Sequence, residues 1–285
     1  MLFLSAFFWG ASFVFTKFLL KNFTTIEIIF IRTALASVFL FIFSLLFLKK
    51  NMKIGKKDIP VFCALSFFEP FLYFIFETYS LEYTSASIVS IIIATIPVFT
   101  ALLSKYHFKE QFSTFNMLGV FVSLIGIAIM LLPDFTDNLS GFKGVLLAFL
   151  AVFSAVGYGY YLRKLSPNYH PVIIITYQNM IAAVLFLPVF IMFGFKNGFP
   201  ALVDLTSTFN LINILVLAIF CSSLAFIFLV KGIQKLGLGK SMIFCNLIPV
   251  ITVIISFFLL DEIFTIAKIS GIAIVIVGIF IVQKK

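Results

Sequence analysis

Residues 96–104 read Ile-Pro-Val-Phe-Thr-Ala-Leu-Leu-Ser, and residues 248–256 read Ile-Pro-Val-Ile-Thr-Val-Ile-Ile-Ser. The two stretches align without a gap at an offset of 152 residues, and the same offset pairs Glu110 with Glu262, Gly119 with Gly271, and Gly126 with Gly278. Matched isoleucines mean little in an apolar chain, but a proline, a glutamate and two glycines at fixed spacing mean much more. The chain is therefore predicted to consist of two related halves, residues 1–137 and 138–285.

The composition indicates the solvent in which these halves fold. Of the 285 residues, 62% are hydrophobic and only 11% are charged. A soluble domain carries about 25% charged residues, because its outer shell faces water. The composition therefore excludes a soluble globular enzyme, a disordered chain and a coiled coil, and it favours a polytopic membrane protein.

Apolar stretches long enough to cross a bilayer, about 20 residues each, recur ten times. They cover residues 2–20, 28–48, 60–80, 85–104, 115–132, 142–162, 171–194, 211–231, 239–260 and 266–282. The runs are too long, and alternate too little, for the strands of a membrane barrel. The predicted fold is an all-α polytopic membrane protein with ten transmembrane helices, built as two five-helix repeats around a central cavity.

The basic residues are distributed unequally between the connections. If both termini are cytoplasmic, the inner segments hold 14 Lys or Arg and the outer segments hold four, while Lys17 and Arg32 lie within spans. Cytoplasmic loops carry such an excess of Lys and Arg. The bias predicts a multi-pass protein of the cytoplasmic membrane with cytoplasmic termini. It also accounts for most of the net charge of +9 without a nucleic-acid partner.

Each predicted half has five spans, so the second half enters the membrane from the opposite side. Inverted repeats of this kind are typical of secondary transporters, in which two equivalent halves open a central site to each side in turn. The pattern indicates a transporter and leaves its substrate open.

Several motifs resemble one transporter family. The run from Tyr79 to Ser87, followed by residues 96–103, Glu110 and Gly119, is similar to the first repeat of the EamA family in the drug/metabolite transporter superfamily. Further matching motifs are Trp9-Gly10-Ala11-Ser12-Phe13-Val14 with Lys17, Ile31-Arg32, Gln178-Asn179, Ile248-Pro249-Val250, Asp261-Glu262 and Gly271. The resemblance implies a ten-helix bundle that moves small metabolites or amino acids, often outward.

Four ionisable residues lie inside predicted spans, namely Lys17, Arg32, Glu69 and Glu77. Each costs about 2.5–3.5 kcal/mol at a helix centre, so such residues usually face a cavity or a partner. Glu69 lies about 14 Å into the third span, near the midplane. It precedes Pro70, which removes a backbone hydrogen bond.

Two interpretations of these charges remain open. In the functional one, Glu69 and Glu77 bind a cationic group of a substrate, or Glu69 binds a proton. In the structural one, Glu77 pairs with Arg32 or Lys17 and Glu69 stays protonated. Lys17 and Arg32 are assigned to charge pairing. Neutral candidates for the cavity wall are Trp9, Tyr73, Tyr158, Tyr161, Gln178, Asn179, Ser222 and Asn246.

Pro97 and Pro249 lie mid-span at equivalent points, where kinks are predicted to serve gating. No ATP-binding, zinc-protease or serine-hydrolase motif occurs, so no cofactor is expected and transport is predicted to need no ATP. The expected partners are a small-molecule substrate and membrane lipid, and the protein is a monomer or a homodimer. A membrane-embedded enzyme and a non-transporting membrane subunit are the alternative functions.

Overall fold

The computed structural model describes residues 1–48, 53–108, 139–194, 207–260 and 265–283, together with nine positions between 109 and 138. The described residues form helices joined by short turns, with no strand among them. Seven of these helices are long and apolar enough to cross a membrane, and two shorter apolar helices cover Phe244–Leu259 and Ile269–Gly278. The described part of the chain is therefore all-helical, and the length and apolarity of its helices are those of a multi-pass membrane protein.

Nine of the ten predicted spans coincide with helices in the described part of the chain. The unbroken ones are Leu2–Leu19, Thr25–Phe47, Leu139–Leu165, Pro171–Phe193 and Ile266–Gln283. The remaining four consist of consecutive pieces: Ile59–Ser66, Phe67–Leu72 and Tyr73–Tyr83; Ala86–Ile93 and Ile96–Phe108; Thr208–Val216, Leu217–Leu224 and Ala225–Leu236; and Leu238–Met242, Ile243–Leu247 and Ile248–Leu259. Nine of the 18 residues of the predicted fifth span, 115–132, lie outside the described residues, as do Glu110 and Glu262.

The second helix begins at Thr25, three residues before the predicted start of the second span. The cause is a capping box. The Thr24 hydroxyl accepts the N–H of Glu27 at 3.3 Å, and the Glu27 carboxylate accepts the N–H of Thr24 at 2.7 Å. These bonds satisfy backbone donors that a helix start leaves without partners. Polar residues thus extend the helix beyond its apolar run.

The third and eighth spans both change helical pitch at equivalent places. Phe67–Leu72 and Leu217–Leu224 are π-helical. In the first segment, Pro70 cannot donate a backbone hydrogen bond, which interrupts the regular pattern. In the second, the Ser223 hydroxyl donates to the carbonyl of Ala218, five residues earlier, at 2.8 Å. Different residues therefore produce the same irregularity in each half.

The predicted position of Pro97 and Pro249 needs a correction. Both were expected to kink a continuous helix, but each is the second residue of a new helical segment, Ile96–Phe108 or Ile248–Leu259. Proline fits the first turn of a helix, where its missing N–H would be unpaired in any case. Pro97 therefore follows a turn at residues 94–95 of the fourth span, and Pro249 follows the 3-10 segment Ile243–Leu247 of the ninth. Their role in gating stays a prediction.

Helix contacts between the halves are reciprocal. The first span packs on the eighth and ninth, and the sixth span packs on the third and fourth. The second span contacts the eighth, and the seventh contacts the third. The second and seventh spans pack on each other, with the rings of Phe30 and Phe190 stacked at 4.3 Å. Exchanging the halves leaves this pattern of neighbours unchanged.

The fifth and tenth spans approach each other closely at Gly126 and Gly271. A Cβ atom added to Gly126 would lie 2.8 Å from the carbonyl oxygen of Gly271. Small residues allow such backbone contact between membrane helices. Gly126 and Gly271 thus bring the backbones of the fifth and tenth spans into close contact.

Hydrogen bonds connect four spans at the end of the bundle that is predicted to be cytoplasmic. The Tyr169 hydroxyl donates to the Asp58 carboxylate at 2.5 Å and accepts the N–H of Gly55 at 3.0 Å. The bond to Asp58 is the main cause of a raised pKa of the Tyr169 hydroxyl. The Gln234 amide donates to the carbonyls of Ser166 and Tyr169 at 2.7 and 3.0 Å. This cluster links the third, sixth, seventh and eighth spans.

Candidate functional site

A cavity lies in the centre of the bundle, between the two halves. The first, second, third and fourth spans line it from one half, and the sixth, eighth and ninth line it from the other. Its polar and charged lining comes from the first half: Trp9, Ser12, Arg32, Glu69, Tyr73 and Glu77. The second half contributes mainly apolar side chains, including Ala155, Phe226, Leu229, Met242 and Ile248. The wall is therefore charged on one side and apolar on the other.

Arg32 is a buried cation that the surrounding helices hold in place. Its side chain is only 2% exposed. Nε donates to the Ser222 hydroxyl at 3.1 Å, and Cζ lies 4.0 Å from the centre of the Phe74 ring. A guanidinium over an aromatic face is attracted by the negative potential of the ring. Nη1 has no hydrogen-bond partner among the described residues, so a donor remains for a further group.

Glu69 lies where the third span departs from helical geometry. Its backbone has φ −148° and ψ 122°, an extended conformation inside the π-helical segment. The residue before a proline is driven towards extended geometry by the proline ring, which accounts for this break. π-Helical turns occur frequently at functional sites. The carboxylate of Glu69 is 7% exposed and lines the cavity.

Glu77 adds a second carboxylate to the same cavity. It is 3% exposed, and its Oε2 atom has no hydrogen-bond partner within the described structure. Tyr73 lies between the two glutamates on the same helix and also lines the cavity. Among the described lining residues, one cation, Arg32, faces two carboxylates. The arrangement can bind a molecule that carries positive charge.

Trp9 lies at the boundary between the charged and apolar walls. Its indole N–H donates to the carbonyl of Cys221 at 3.2 Å, and its ring meets that of Phe226 edge-to-face at 5.0 Å. Cys221 is the position that matches Glu69 in the second half, at the offset of 152. Trp9 therefore lines the cavity and also connects the first span to the π-helical segment of the eighth span.

Lys17 is absent from the described cavity lining and lies near the end of the third span. Its ammonium group donates to the carbonyl of Leu81 and, at 2.9 Å, to the carbonyl of Thr84. Cations near a helix C-terminus stabilise the exposed carbonyls and the negative end of the helix dipole. These contacts give Lys17 a structural role at the C-terminal end of the third span. Its charge pairing stays a prediction.

Five predicted wall residues, Ser222 among them, are buried next to the cavity without being part of its lining. Tyr158 donates to Gln178 at 3.2 Å, and Asn179 donates to the carbonyls of Ile175 and Ser222 at 2.9 and 3.3 Å. Because Ser222 also accepts from Arg32, Asn179 and Arg32 meet at the same residue. Asn246 follows the lining residue Cys245 in the chain and is buried, and its Oδ1 lacks a described partner. These side chains form a polar layer behind the lining.

Phe74 was not recognised from the sequence, although it supports the one cation of the cavity. It is one of 41 phenylalanines, so composition hides it. A usable signal was its spacing: Phe74 precedes Glu77 by three residues, which places both on one helical face.

Among the described residues, no group of three or more His, Cys, Asp or Glu could hold a metal ion.

The helical bundle and its charged central cavity define a class of protein, the multi-pass membrane transporters. The family model "EamA-like transporter family" matches residues 1–132 and 142–283. The chain therefore belongs to the EamA-like transporter family, as its motifs predicted.

Individual comparisons agree with this assignment. An uncharacterized transporter of Archaeoglobus fulgidus is 23% identical over 279 residues, which cover 98% of this chain and 95% of the relative. The uncharacterized transporter YetK of Bacillus subtilis is 28% identical over 286 residues, with 97% and 84% coverage. A solved structure entitled "Crystal structure of protein" superposes with a TM-score of 0.71 over 98% of both chains, at 12% identity. That structural likeness concerns the fold alone.

Proposed function

We propose that this protein is a secondary transporter that moves a small, amine-bearing metabolite across the cytoplasmic membrane by alternating access. One observation carries the proposal: Arg32, Glu69 and Glu77 line one central cavity, and both Arg32 Nη1 and Glu77 Oε2 lack partners within the described structure. Ionisable residues within a bilayer are costly, and they usually mark the path of a substrate or an ion. The two carboxylates supply the charge that an amine requires.

The proposed motion is a rocking of two five-helix halves, near residues 1–137 and 138–285, about the cavity. The reciprocal helix contacts and the matching π-helical segments support an inverted repeat of ten helices, because a two-fold relation produces both. Two equivalent halves can exchange conformations, which closes the cavity on one side and opens it on the other. The irregular third and eighth spans, and the broken fourth and ninth, are the proposed points of bending.

The proposed orientation places both termini in the cytoplasm. This orientation leaves 14 basic residues in the inner connections and four in the outer ones. Such a bias is the strongest orientation signal in a multi-pass protein. Export is the proposed direction, as in many members of the family. We propose a monomer or a homodimer as the working unit, since the cavity is lined by helices of a single chain.

The test is flux of radiolabelled amino acids and amines into liposomes that contain the purified protein, at several pH values. We expect uptake above protein-free liposomes, and we expect Glu69→Gln to lower the rate and to change its pH dependence. Glu82→Gln is the matched control, because Glu82 lies on the same helix and accepts a hydrogen bond from Thr25 away from the cavity lining. Unchanged rate and pH dependence in Glu69→Gln would exclude Glu69 as the coupling group.

The same assay separates the transporter from its two alternatives. A membrane-embedded enzyme would modify the solute, so chromatography of the liposome contents would show a new compound. A non-transporting subunit would give no flux with any solute. Recovery of the unmodified solute inside the liposomes is the result that supports transport, and inside-out against right-side-out vesicles then tests the direction.

A further inference from the structure

The cavity carries a particular combination of charges that narrows the substrate class. Resting on the proposed transport function, we infer that the substrate is a small diamino monocarboxylate, a molecule with one carboxylate, two amines and an apolar stem between its charged ends. The inference follows from the number, position and support of the charged groups in the cavity lining.

The number of charged groups in the cavity lining indicates how many charged groups the ligand carries. The described lining has one guanidinium and two carboxylates. In a medium of low dielectric constant an uncompensated charge is costly, so a bound molecule is favoured when its charges match those of the wall. A carboxylate of the ligand compensates the charge of Arg32, and two ammonium groups of the ligand compensate those of Glu69 and Glu77. A molecule with one carboxylate and one amine would leave a glutamate without an opposite charge.

The positions of the charges set the order of the groups. Arg32 lies seven residues after Thr25 in the second span, and Glu77 lies six residues before Tyr83 in the third. At about 1.5 Å per residue, both lie at a depth of about 10 Å from the same side of the bundle. A carboxylate and an amine on one carbon atom, as in an α-amino acid, can therefore meet Arg32 and Glu77 together.

Glu69 lies deeper and suits the second amine. It is eight residues before Glu77, which at a helical rise of about 1.5 Å per residue corresponds to a separation on the order of 12 Å along a span that includes the π-helical segment Phe67–Leu72. Charged hydrogen bonds take up about 2.8 Å at each end, which leaves about 6 Å between the two ligand nitrogens. That separation is spanned by a stem of three or four methylene groups beyond the α-carbon. Leu229, Met242 and Ile248 supply apolar surface for such a stem.

The support of Arg32 indicates that it is prepared for an anion. Its Nε is occupied by Ser222 and its face by Phe74, so the orientation of the guanidinium is set before a ligand enters. The free Nη1 then offers a donor without further ordering of the side chain. Preorganised groups bind more tightly, because the entropy of ordering is spent in folding.

The test is a matched series of ligands on the purified full-length protein, with binding measured by calorimetry and by thermal stabilisation. Lysine and ornithine carry all three charged groups. Norleucine is lysine without the distal amine, and cadaverine is lysine without the carboxylate. We expect lysine or ornithine to bind at least tenfold more tightly than both truncated ligands. We expect Glu69→Gln to reduce that preference over norleucine by at least tenfold, while Glu82→Gln leaves it unchanged.

Each other outcome overturns a distinct statement. If norleucine binds as tightly as lysine, the distal amine is not recognised and the inferred class is wrong, although an amino-acid transporter remains. If cadaverine binds as tightly as lysine, Arg32 does not bind a ligand carboxylate, and the inferred substrate class is again wrong. If the protein moves other solutes in the flux assay but binds none of the series, only the substrate class fails. If no solute moves at all, the proposed function fails.

Discussion

The guanidinium carbon of Arg32 lies 4.0 Å from the centre of the Phe74 ring, and its Nε–H donates a hydrogen bond to the Ser222 hydroxyl at 3.1 Å. These two contacts come from the third and eighth spans, so the cation of the second span is held from both halves of the chain. Arg32 is therefore sensitive to any movement of one half against the other. This geometry connects the position of one charge to the proposed transport cycle.

Phe74→Leu should weaken substrate binding while the protein still folds. A cation–π contact of a buried guanidinium is worth about 2 kcal/mol, which corresponds to an affinity change of up to about 30-fold. Leucine keeps the apolar volume but removes the negative face of the ring. The measurement is the dissociation constant of the best ligand of the series. Phe67→Leu, at an exposed ring of the same span, is the control that should bind normally.

Lys17→Met should destabilise the protein without changing its ligand preference. Lys17 donates to the carbonyls of Leu81 and Thr84, and hydrogen bonds to charged groups make a net contribution of about 1.5–3 kcal/mol each. We expect a lower midpoint of thermal unfolding in detergent. A changed ratio of lysine to norleucine affinity would contradict this structural role and would place Lys17 in the binding site.

Gly126→Val should disrupt the contact between the fifth and tenth spans. The added Cβ would lie 2.8 Å from the carbonyl oxygen of Gly271, and backbone atoms cannot move aside as a flexible side chain can. Overpacking of this kind costs about 1–3 kcal/mol. We expect less folded protein in size-exclusion chromatography. Ile125→Val, at an exposed neighbour, should behave like the unchanged protein, and equal recovery of both variants would argue against the close contact.

Cysteine labelling should report the proposed orientation. Asn168 follows the sixth span and Ser207 precedes the eighth, and both are exposed. With cytoplasmic termini, Ser207→Cys should react with a membrane-impermeant maleimide in intact cells, and Asn168→Cys should react only after permeabilisation. The unsubstituted protein measures the background from Cys63, Cys221 and Cys245. The reverse labelling pattern would invert the topology.

The length of the apolar runs was enough to locate nine of the ten predicted spans, which coincide with helices among the described residues. Each span requires about 20 apolar residues, a signal contained in consecutive residues and independent of distant contacts. Helix starts were less accurate, because Thr24 and Glu27 extend the second helix through polar hydrogen bonds that hydropathy does not detect. Pro97 and Pro249 were found at the second position of helical segments, because the turn at residues 94–95 and the 3-10 segment Ile243–Leu247 before them depend on the surrounding fold.

The sequence also identified the rare charges that matter, because a buried ionisable residue is costly wherever it packs. Glu69, Glu77 and Arg32 were all marked in this way, together with Trp9 and Tyr73, and all of them line one cavity. Their assembly depends on helices that are far apart in the chain, and so does the separation of Lys17 from them. Tyr158, Gln178, Asn179 and Asn246 have the polarity of wall residues, yet they are not part of the described lining.

Residue type and spacing thus determined the class of fold, the family and the few candidates for chemistry, since these are properties of short segments. Tertiary structure alone decided that Phe74 and Ser222 support Arg32 and that the cavity opposes two carboxylates to one guanidinium. The physical reason is that charge complementarity depends on distances between atoms. Packing of the second span against the third and eighth sets those distances, and no single segment contains them.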